Sequence, residues 1–270
     1  MPSYVITGGR GIAYEFAKQL SSKPENHVFT VVRNPDAVPA LGQLAAERKN
    51  LHVLKADLTD LPALKQAAKD VAAVTGGTLD VLLNVAAWLS SDVNSYKTLS
   101  EFEGNEEVLA KDLRESFEVN VVGVIYVTNS FLPLLRAGQT KKVITLSTGM
   151  ADPDFNYRAN QAQAGPYTIS KAATNMVNSK YAAEFADEGF KFLAISPGLV
   201  DTAVPGTTMN DEQMAGVMKM VAGFKKAFPD FSGQYISPTE SVNLMLDIID
   251  TLKPEENGTF ISHHRNKNWL

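Results

Sequence analysis

The chain has 270 residues, of which 44% are hydrophobic and 20% are charged, and it contains no cysteine. A chain of this length and composition can bury a large core in one or two domains, which excludes disordered and fibrous proteins. The formal net charge is −5, so the overall balance gives no sign of the basic face of a nucleic-acid-binding protein. The lack of cysteine excludes a disulfide scaffold, a cysteine-ligated zinc site and a thiol nucleophile.

Targeting and membrane signals are not found in the sequence. The strand-like run at residues 4–6 begins almost at once, with no basic segment or cleavage pattern before it. The most apolar stretch, residues 119–127, is interrupted by Asn120 and Gly123 and is shorter than the roughly 20 residues that cross a bilayer. We therefore expect a cytoplasmic protein that binds neither a membrane nor a nucleic acid.

Short apolar runs alternate with longer segments of helical periodicity along the chain. Runs of Val, Ile and Leu in this alternation are typical of strands that are buried on both faces of a parallel sheet. The pattern predicts an α/β fold, a Rossmann-type doubly wound parallel sheet with helices on both faces, as a single domain over residues 1–270. The predicted strands are 4–7, 28–32, 51–55, 81–84, 142–147 and 190–196, and the helices lie near 11–21, 39–49, 63–74, 106–135 and 167–188.

Two segments, residues 88–105 and 201–234, are longer than ordinary connections. Ligands of doubly wound sheets bind beyond the carboxyl ends of the strands, where long insertions are usually functional loops. We interpret 201–234 as a substrate loop or lid. Its apolar residues indicate either a hydrophobic substrate or ordinary core packing; they include Met209, Met214, Met218, Met220, Phe224 and Phe228.

A glycine-rich turn follows the first predicted strand and opens the first helix. Glycine lets the backbone approach a pyrophosphate, and a helix N-terminus supplies N–H groups for the anion. The order of strand, turn and helix predicts a dinucleotide site, and the alternative is a structural glycine turn. The residues of this site are Thr7, Gly8, Arg10, Gly11 and Ile12.

The residues that follow the second predicted strand favour NADP(H) as the dinucleotide. An NAD site normally has an acidic side chain about 20 residues after the first glycine. Residues 28–34 contain no carboxylate, and Arg33 stands at their end. Arg10 can reach the same region, and a guanidinium pairs well with a phosphate. Either arginine taken alone is more often a surface charge.

Tyr167 and Lys171 are four residues apart, so they share one face of a predicted helix. A cation beside a phenol favours the phenolate, which lowers the tyrosine pKa and allows proton exchange with a carbonyl or hydroxyl oxygen. Spacing alone does not identify the pair, because Tyr14 and Lys18 have the same spacing. We interpret the earlier pair as structural, since its helix begins at the glycine turn.

Polar residues elsewhere give Tyr167 a specific context. Ser147 and Thr148 follow a predicted strand and supply hydroxyl groups at its carboxyl end. Asn120 interrupts an apolar helix, where a polar side chain needs a reason. Asn84 ends the fourth predicted strand. Each asparagine is also explained by a hydrogen bond to a neighbouring group.

We expect no metal site. The chain has four histidines and no cysteine, so a metal would need histidines grouped with carboxylates. The histidines are scattered apart from the adjacent His263 and His264. Adjacent histidines near a C-terminus are more often surface or tail residues than ligands, and we interpret these two in that way.

These residues resemble the short-chain dehydrogenase/reductase family, over nearly the whole chain from the glycine turn to Trp269. The single-domain carbonyl-reductase-like and C-factor-like members, especially fungal ones, are most similar. The resemblance implies a catalytic tetrad of Asn120, a hydroxyl of Ser147 or Thr148, Tyr167 and Lys171, with Asn120 positioning Lys171 through a water. It also assigns residues to the cofactor, namely Asp57, Leu58, Asn84, Ala86, Tyr167, Lys171, Pro197, Val200 and Thr202.

The sequence departs from the family pattern in three places. The glycine turn is one residue shorter, and Ala13 replaces its last glycine. Thr148 stands where the family has its catalytic serine, and a threonine keeps the hydroxyl on a stiffer side chain. Residues 84–87 keep only half of the family's Asn-Asn-Ala-Gly segment.

The sequence therefore predicts an NADP(H)-dependent oxidoreductase that reduces a ketone or aldehyde, or oxidises the corresponding alcohol. Its partner would be a small-molecule carbonyl or alcohol substrate. One alternative is a non-catalytic NADP(H)-binding sensor or partner protein, which the altered glycine turn favours. Another is a related epimerase or dehydratase, for which the chain is short.

A homodimer is expected from the resemblance alone. Family members commonly dimerise through the helices that correspond to 106–135 and 167–188. The apolar stripe of Val177, Tyr181 and Phe185 lies on the second of these helices. That stripe is explained equally well by internal packing.

Overall fold

One sheet of seven strands organises the computed structural model, which describes residues 1–90, 93–203 and 209–270. Its strands are β1 (Ser3–Thr7), β2 (His27–Val32), β3 (Leu51–Lys55), β4 (Val81–Asn84), β5 (Lys142–Leu146), β6 (Lys191–Ser196) and β7 (Phe260–Ser262). Every neighbouring pair is parallel, in the order β3-β2-β1-β4-β5-β6-β7. The predicted doubly wound parallel sheet is confirmed.

Helices cover both faces of this sheet. They are α1 (Gly11–Ser21), α2 (Pro39–Glu47), α3 (Leu61–Thr75), α4 (Glu106–Phe117), α5 (Gly123–Ala137), α6 (Pro153–Ala159), α7 (Gly165–Glu184), α8 (Asp211–Ala227) and α9 (Pro238–Asp250). Successive strand residues point to opposite faces, so Ile6 packs with α1, α2 and α9, and Val5 packs with α3, α5 and α7. Tyr181 and Phe185 belong to the second core, so these members of the predicted stripe serve internal packing.

Three elements differ from the prediction. Strand β7 is a seventh strand where six were expected; it has three residues and, within the described residues, pairs with β6 alone. Helices α6 and α9 were not predicted. Helix α9 begins with a recognisable signal, because Ser237 caps it by accepting from Glu240 N and Pro238 follows the cap.

The predicted helix at 106–135 is a continuous run from Glu106 to Ala137 with a π-helical turn inside it. The turn covers Glu118–Val122, and Gly123 N–H donates to Glu118 O, five residues back. By length and composition this run could cross a bilayer, with a mean hydropathy of 1.4 in its most apolar window. Helices of a protein core pass the same test, and here Val127, Phe131 and Leu135 are buried against the sheet.

A third apolar cluster lies outside the two sheet cores and joins α6 to α8. Phe155 and Phe228 stack at 5.3 Å, and Trp269 belongs to the same cluster. A Cβ on Gly223 would lie 2.5 Å from Ala159 O, so only glycine allows α8 to approach this closely. The predicted lid is therefore largely a docked helix, although residues 204–208 of the predicted lid lie outside the described part of the chain. Phe224 is buried in this cluster, whereas Met209, Met214 and Met218 are exposed.

Candidate active site

The glycine turn between β1 and α1 forms an open helix N-terminus. Gly8 and Gly11 have positive φ angles of 97° and 51°, which other residues rarely adopt. Among the described residues, no side chain caps α1 and no acidic residue lies in its first turn. Ala13 is buried, and a Cβ on Gly8 would lie 3.2 Å from the Ala13 Cβ. The turn thus presents backbone N–H groups and the positive end of a helix, as an anion site requires.

The two arginines predicted to contact a 2′-phosphate lie beside β2 and β3. Arg10 Nη2 donates to Ala37 O at 2.5 Å. The Arg33 side chain is 81% exposed, and its Nε lies 3.9 Å from Asp57 Oδ2. Asp57 Oδ1 also accepts from Thr59 N at 3.0 Å. An ion pair this exposed contributes little, so Arg33 can exchange its partner for a phosphate at small cost.

Thr7 joins the carboxyl ends of β1 and β4. Its Oγ1 accepts from Val85 N at 3.0 Å and from Ala86 N at 3.1 Å. Asn84 is buried, its Nδ2 donates to Thr128 Oγ1 at 3.3 Å, and its Oδ1 has no partner in the described part of the chain. The strand order reverses between β1 and β4, which is where doubly wound sheets bind their ligands.

The segment after β6 lies opposite the glycine turn. Val200 forms a parallel bridge with Ile236, which holds the segment beyond Pro197 in place. A Cβ on Gly11 would lie 3.1 Å from Thr202 Cγ2, so residue 202 reaches the start of α1. The structure therefore brings the glycine turn together with residues 197–202, the segment that the family resemblance assigns to the nicotinamide amide.

Two other predicted cofactor residues contribute their side chains to packing. Ile12 packs against the first sheet core. Leu58 is buried, and a Cβ on Gly123 would lie 3.0 Å from the Leu58 Cβ. Any contact between these two residues and a dinucleotide is therefore expected from their backbone groups.

Tyr167 and Lys171 lie in the first two turns of α7, next to the end of β5. Lys171 is 2% exposed, and its Nζ donates to Leu146 O at 2.7 Å. The same Nζ lies 5.9 Å from the centroid of the Tyr167 ring. The pair is thus in contact, with the ammonium group anchored on the last residue of a central strand.

Burial shifts the two pKa values in opposite directions. It raises the pKa of Tyr167 to about 12 and lowers the pKa of Lys171 to about 8. The direction at Tyr167 is the reverse of the expected one, because the loss of water around the phenolate outweighs the nearby ammonium. At neutral pH the tyrosine is therefore a phenol and can donate a proton.

Asn120 lies inside the π-helical turn and is completely buried. Its Oδ1 accepts from Trp88 N at 2.7 Å, and its Nδ2 donates to Trp88 O at 2.9 Å and to Ser170 Oγ at 2.9 Å. Thr174 Oγ1 donates to the Asn120 carbonyl at 2.8 Å. Asn120 therefore fixes α7 at Ser170, immediately before Lys171, and also fixes the first residues of the insertion after β4.

The two hydroxyls after β5 have different surroundings. Ser147 is buried, and its Oγ has no hydrogen-bond partner within residues 1–90, 93–203 and 209–270. Thr148 is half-buried, and its Oγ1 accepts from Met150 N at 3.3 Å. That bond uses an oxygen lone pair and leaves the Thr148 hydroxyl hydrogen for a ligand.

Gln163 forms hydrogen bonds to both long insertions, the one after β4 and the one that contains α8. Its Nε2 donates to Tyr96 O at 2.9 Å and to Gly216 O at 3.3 Å. A Cβ on Gly216 would lie 2.7 Å from the Tyr96 ring, so α8 touches the insertion after β4. No sequence motif marks Gln163, although it precedes Tyr167 by only four residues.

One histidine departs from its expected position. His264 is exposed, as predicted, but His263 is only 3% exposed and packs against Gly198. The prediction that both are surface or tail residues is therefore wrong for His263. Its burial comes from the parallel pairing of β7 with β6, which the sequence did not predict. The described residues contain no group of three or more potential metal ligands of the His, Cys, Asp or Glu type.

Comparison with protein families assigns this chain to a family. The family model for short chain dehydrogenases matches residues 3–213. The chain belongs to the short-chain dehydrogenase family. The match covers the glycine turn, Asn120, the residue pair Ser147 and Thr148, and the Tyr167–Lys171 pair. The resemblance that the sequence motifs indicated is therefore confirmed at the level of the family.

Fungal short-chain dehydrogenases are similar to the whole chain. The short chain dehydrogenase virK of Hypocrea virens is 42% identical over 274 residues, with 100% of both chains covered. The short-chain dehydrogenase/reductase AacuF of Aspergillus aculeatus is 42% identical over 273 residues, also with 100% of both covered. The NADPH-bound carbonyl reductase from chicken fatty liver has a TM-score of 0.76, is 24% identical and covers 98% of each chain, a likeness of fold.

The site of this short-chain dehydrogenase fits a dinucleotide. Gly8 and Gly11 have positive φ angles, and Gly9 packs on the core, since a Cβ there would lie 2.9 Å from Leu41 Cδ2. Larger residues at these positions would strain the turn or fill it. The buried Oδ1 of Asn84 at the switch point is a polar atom without a partner in the described residues. The turn is compatible with a dinucleotide and with a structural role, and the family membership favours the dinucleotide.

Proposed function

We propose that this short-chain dehydrogenase is an NADP(H)-dependent reductase of ketones or aldehydes. The observation that carries the proposal is the contact between half-buried Tyr167 and buried Lys171 at the carboxyl edge of the sheet. An ammonium group such as that of Lys171 is costly to bury without a purpose. The family membership and the nearby glycine turn support a redox reaction on a small molecule.

NADP(H) is preferred to NAD(H) in this proposal because of charge. Arg10 and Arg33 lie beside the ends of β2 and β3 and offer guanidinium groups to a 2′-phosphate. The carboxylate of Asp57 faces Arg33 and is not placed at the end of β2, where an NAD site has its acid. Two structural neighbours are described as bound to NADPH and to NADP, which supports the same choice.

The dinucleotide, when bound, supplies or receives the hydride, and the side chains of this chain manage the proton. Tyr167 donates its phenolic proton to the substrate oxygen as the carbonyl becomes an alcohol. Its raised pKa keeps it protonated at neutral pH, which is the state that reduction requires. Lys171, with a pKa of about 8, is mostly cationic near neutrality and stabilises the tyrosinate that is formed.

Thr148 is the hydroxyl that we assign to the substrate oxygen. Its Oγ1 already accepts from Met150 N, so the hydroxyl hydrogen is free to donate. Ser147 is more deeply buried and precedes it on the strand end. In this arrangement Thr148 and Tyr167 are the two donors to one carbonyl oxygen, and Asn120 holds α7 in position.

We extend the proposal to a hydrophobic substrate and a homodimer. Met214 and Met218 expose apolar surface on α8 beside the insertion that Gln163 anchors. Exposed apolar side chains on α4 and α7, among them Phe117 and Met176, support an interface between copies. Sedimentation at increasing concentration tests the dimer, and a monomer throughout would contradict it. A cytoplasmic location stays a prediction.

The experiment is an assay of cofactor oxidation with purified protein and ketones and aldehydes of increasing hydrophobicity, with NADPH and NADH compared. We expect turnover with NADPH, and we expect the variant with both Arg10→Ala and Arg33→Ala to lose about 10-fold or more of the preference for NADPH over NADH. Calorimetry with NADPH measures binding separately. Binding without turnover on any substrate would overturn the reductase and support a non-catalytic NADP(H)-binding protein.

A further inference from the structure

The imidazole ring of His263 fills the space beneath Gly198. A Cβ on Gly198 would lie 2.5 Å from His263 Cε1, 2.9 Å from Nε2 and 3.0 Å from Nδ1. Gly198 also has a φ of 86°, so its backbone conformation favours glycine. The ring therefore occupies the position that a side chain at residue 198 would take.

His263 is fixed by its own backbone before it contacts Gly198. Its N–H donates to Ser196 O at 2.8 Å, which continues the parallel pairing of β7 with β6. The turn that follows is closed by Ser262 N, which donates to Asn266 O at 2.8 Å. The ring is thus held from a rigid strand end.

The segment that His263 supports is the one that faces the glycine turn. Ser241 Oγ donates to Pro197 O at 2.7 Å, and Ile236 N donates to Leu199 O at 2.9 Å. These bonds hold the segment from the side of α9 and from residue 236. The ring of His263 supports Gly198 from below, three residues before Asp201 and four before Thr202.

His263 occupies this place as a planar ring that fills space next to Gly198. Its Nδ1 is buried and has no hydrogen-bond partner in the part of the chain that the structure describes. Burial, together with the neighbouring His264, lowers the pKa of His263 to about 4, so the ring is neutral at neutral pH. The ring of His264 lies against it, with centroids 3.9 Å apart and ring planes tilted by 40°, but His264 is itself exposed.

We infer that His263 is a positioning residue for the nicotinamide half of the dinucleotide. Its ring packs against Gly198 and so fixes the position of the backbone from Gly198 to Thr202. The inference rests on the proposed function, together with the family resemblance, which assigns residues 197–202 to the nicotinamide amide. It concerns a residue outside the tetrad and far from it in sequence. The effect of His263 is therefore confined to the nicotinamide half, since in the proposed function the adenosine half is bound by Arg10 and Arg33 on the other side of β1.

The first test measures binding of two ligands to His263→Ala by calorimetry. NADPH reports on both halves of the site, and adenosine 2′,5′-bisphosphate reports on the adenosine half alone. We expect His263→Ala to weaken NADPH binding about 10-fold or more, because a positioning group is lost. We expect adenosine 2′,5′-bisphosphate to bind within about two-fold of the wild type. His27→Ala, at the amino end of β2, is the matched control and should leave both affinities unchanged.

The outcomes separate the inference from the proposed function. If His263→Ala binds NADPH as the wild type does, the inference is wrong while the proposed function stands. If both ligands weaken equally, His263 acts on the fold as a whole and the inference is also wrong. If the wild type binds neither ligand, the proposed function fails and the inference fails with it.

A second test changes both sides of the contact between Gly198 and the His263 ring. Gly198→Ala places a methyl group against the ring, so we expect it to weaken NADPH binding on its own. Gly198→Ala combined with His263→Ala removes the clash, and we expect it to bind NADPH more tightly than the product of the two single effects predicts. Strictly additive losses would show that the two residues are not coupled and would overturn the inference.

Discussion

Helix α1 carries Tyr14 and Lys18, and helix α7 carries Tyr167 and Lys171, so one spacing occurs in two regions of the molecule. Lys18 is 47% exposed, and its Nζ lies 3.2 Å from Glu15 Oε2. Lys171 is buried and donates to a backbone carbonyl at 2.7 Å. The first ammonium is neutralised by a carboxylate near water, and the second keeps its charge in a low dielectric next to a phenol.

The difference shows that burial and neighbours, rather than spacing, decide what such a pair can do. Glu15 also accepts from Gln19 Nε2 and Thr239 Oγ1, both at 3.0 Å, so the α1 pair belongs to a network that ties α1 to α9. The α7 pair is joined instead to Asn120 through Ser170, and Lys171 donates to Leu146 O, two residues before Thr148. One environment stabilises the fold, and the other lowers the pKa of a lysine and raises that of a tyrosine.

The largest effect is expected from the two tyrosines. Tyr167→Phe removes the proposed acid and should lower kcat/KM for carbonyl reduction about 10³-fold. Tyr14→Phe should stay within about two-fold of the wild type, because its hydroxyl has no proposed role in proton transfer. Steady-state assays with NADPH measure both, and calorimetry should show that both variants bind NADPH. Substantial turnover by Tyr167→Phe would contradict the assignment.

The next effect concerns the hydroxyls that accompany only the α7 pair. Thr148→Val removes a proposed donor to the substrate oxygen and should lower kcat about 10²-fold. Ser147→Ala is the control and should change kcat by less than about three-fold, since its Oγ is buried without a partner among the described residues. The same NADPH assay compares them. The reverse order of effects would assign the donor role to Ser147.

A third effect is a pH dependence of stability. Burial holds the pKa of Lys171 at about 8 in the folded chain, whereas lysine in an unfolded chain titrates near 10.4. Between these values the unfolded chain binds the proton more tightly, so the free energy of unfolding rises with pH. From about pH 7.5 to about pH 9.5 this contribution rises by about 2 kcal/mol.

Urea denaturation across that pH range measures this contribution. Lys171→Met should remove the rise, and Lys18→Met should retain it, because Lys18 is half-exposed and paired with Glu15. A rise of equal size in both variants would show that Lys171 is not the group responsible. The difference between the variants cancels the contributions of other titrating groups, since these are present in both.

The smallest effect is expected at the α1 pair itself. Lys18→Met breaks a partly exposed ion pair and should destabilise the fold by about 0.5 kcal/mol. Activity should not change, because Lys18 lies away from the proposed cleft. Thermal unfolding near neutral pH and the NADPH assay measure the two quantities. A loss of activity together with retained stability would mean that the α1 pair also serves catalysis.

Much of the sheet and the dinucleotide side could be predicted because their signals are local. Buried parallel strands appear as continuous apolar runs, and the glycine turn stands between a strand and a helix, so β1 to β6 and the start of α1 were found. Strand β7 was missed because three residues carry too little periodicity. Helix α9 was missed although Ser237, Pro238 and Glu240 mark its start.

The remaining site residues depend on contacts between distant parts of the chain. His263 is buried because β7 pairs with β6, and nothing in its own neighbours distinguishes it from His264. Gln163 connects the two insertions because its side chain donates to the backbone carbonyls of Tyr96 and Gly216. The pKa direction at Tyr167 was predicted from the charge of Lys171 alone, and burial, which the sequence does not report, has the larger effect.

The π-helical turn at Glu118–Val122 fixes the number of residues between α4 and α5. An α-helix rotates by about 100° per residue. One inserted residue therefore rotates the side chains before the insertion by about that angle around the helix axis, relative to the side chains after it. Deleting one residue here would restore a regular helix but turn either Ser116 or Val124, both buried now, toward solvent. Relatives aligned to this chain should therefore keep the number of residues across the turn, and should vary in residue type there at positions other than Asn120.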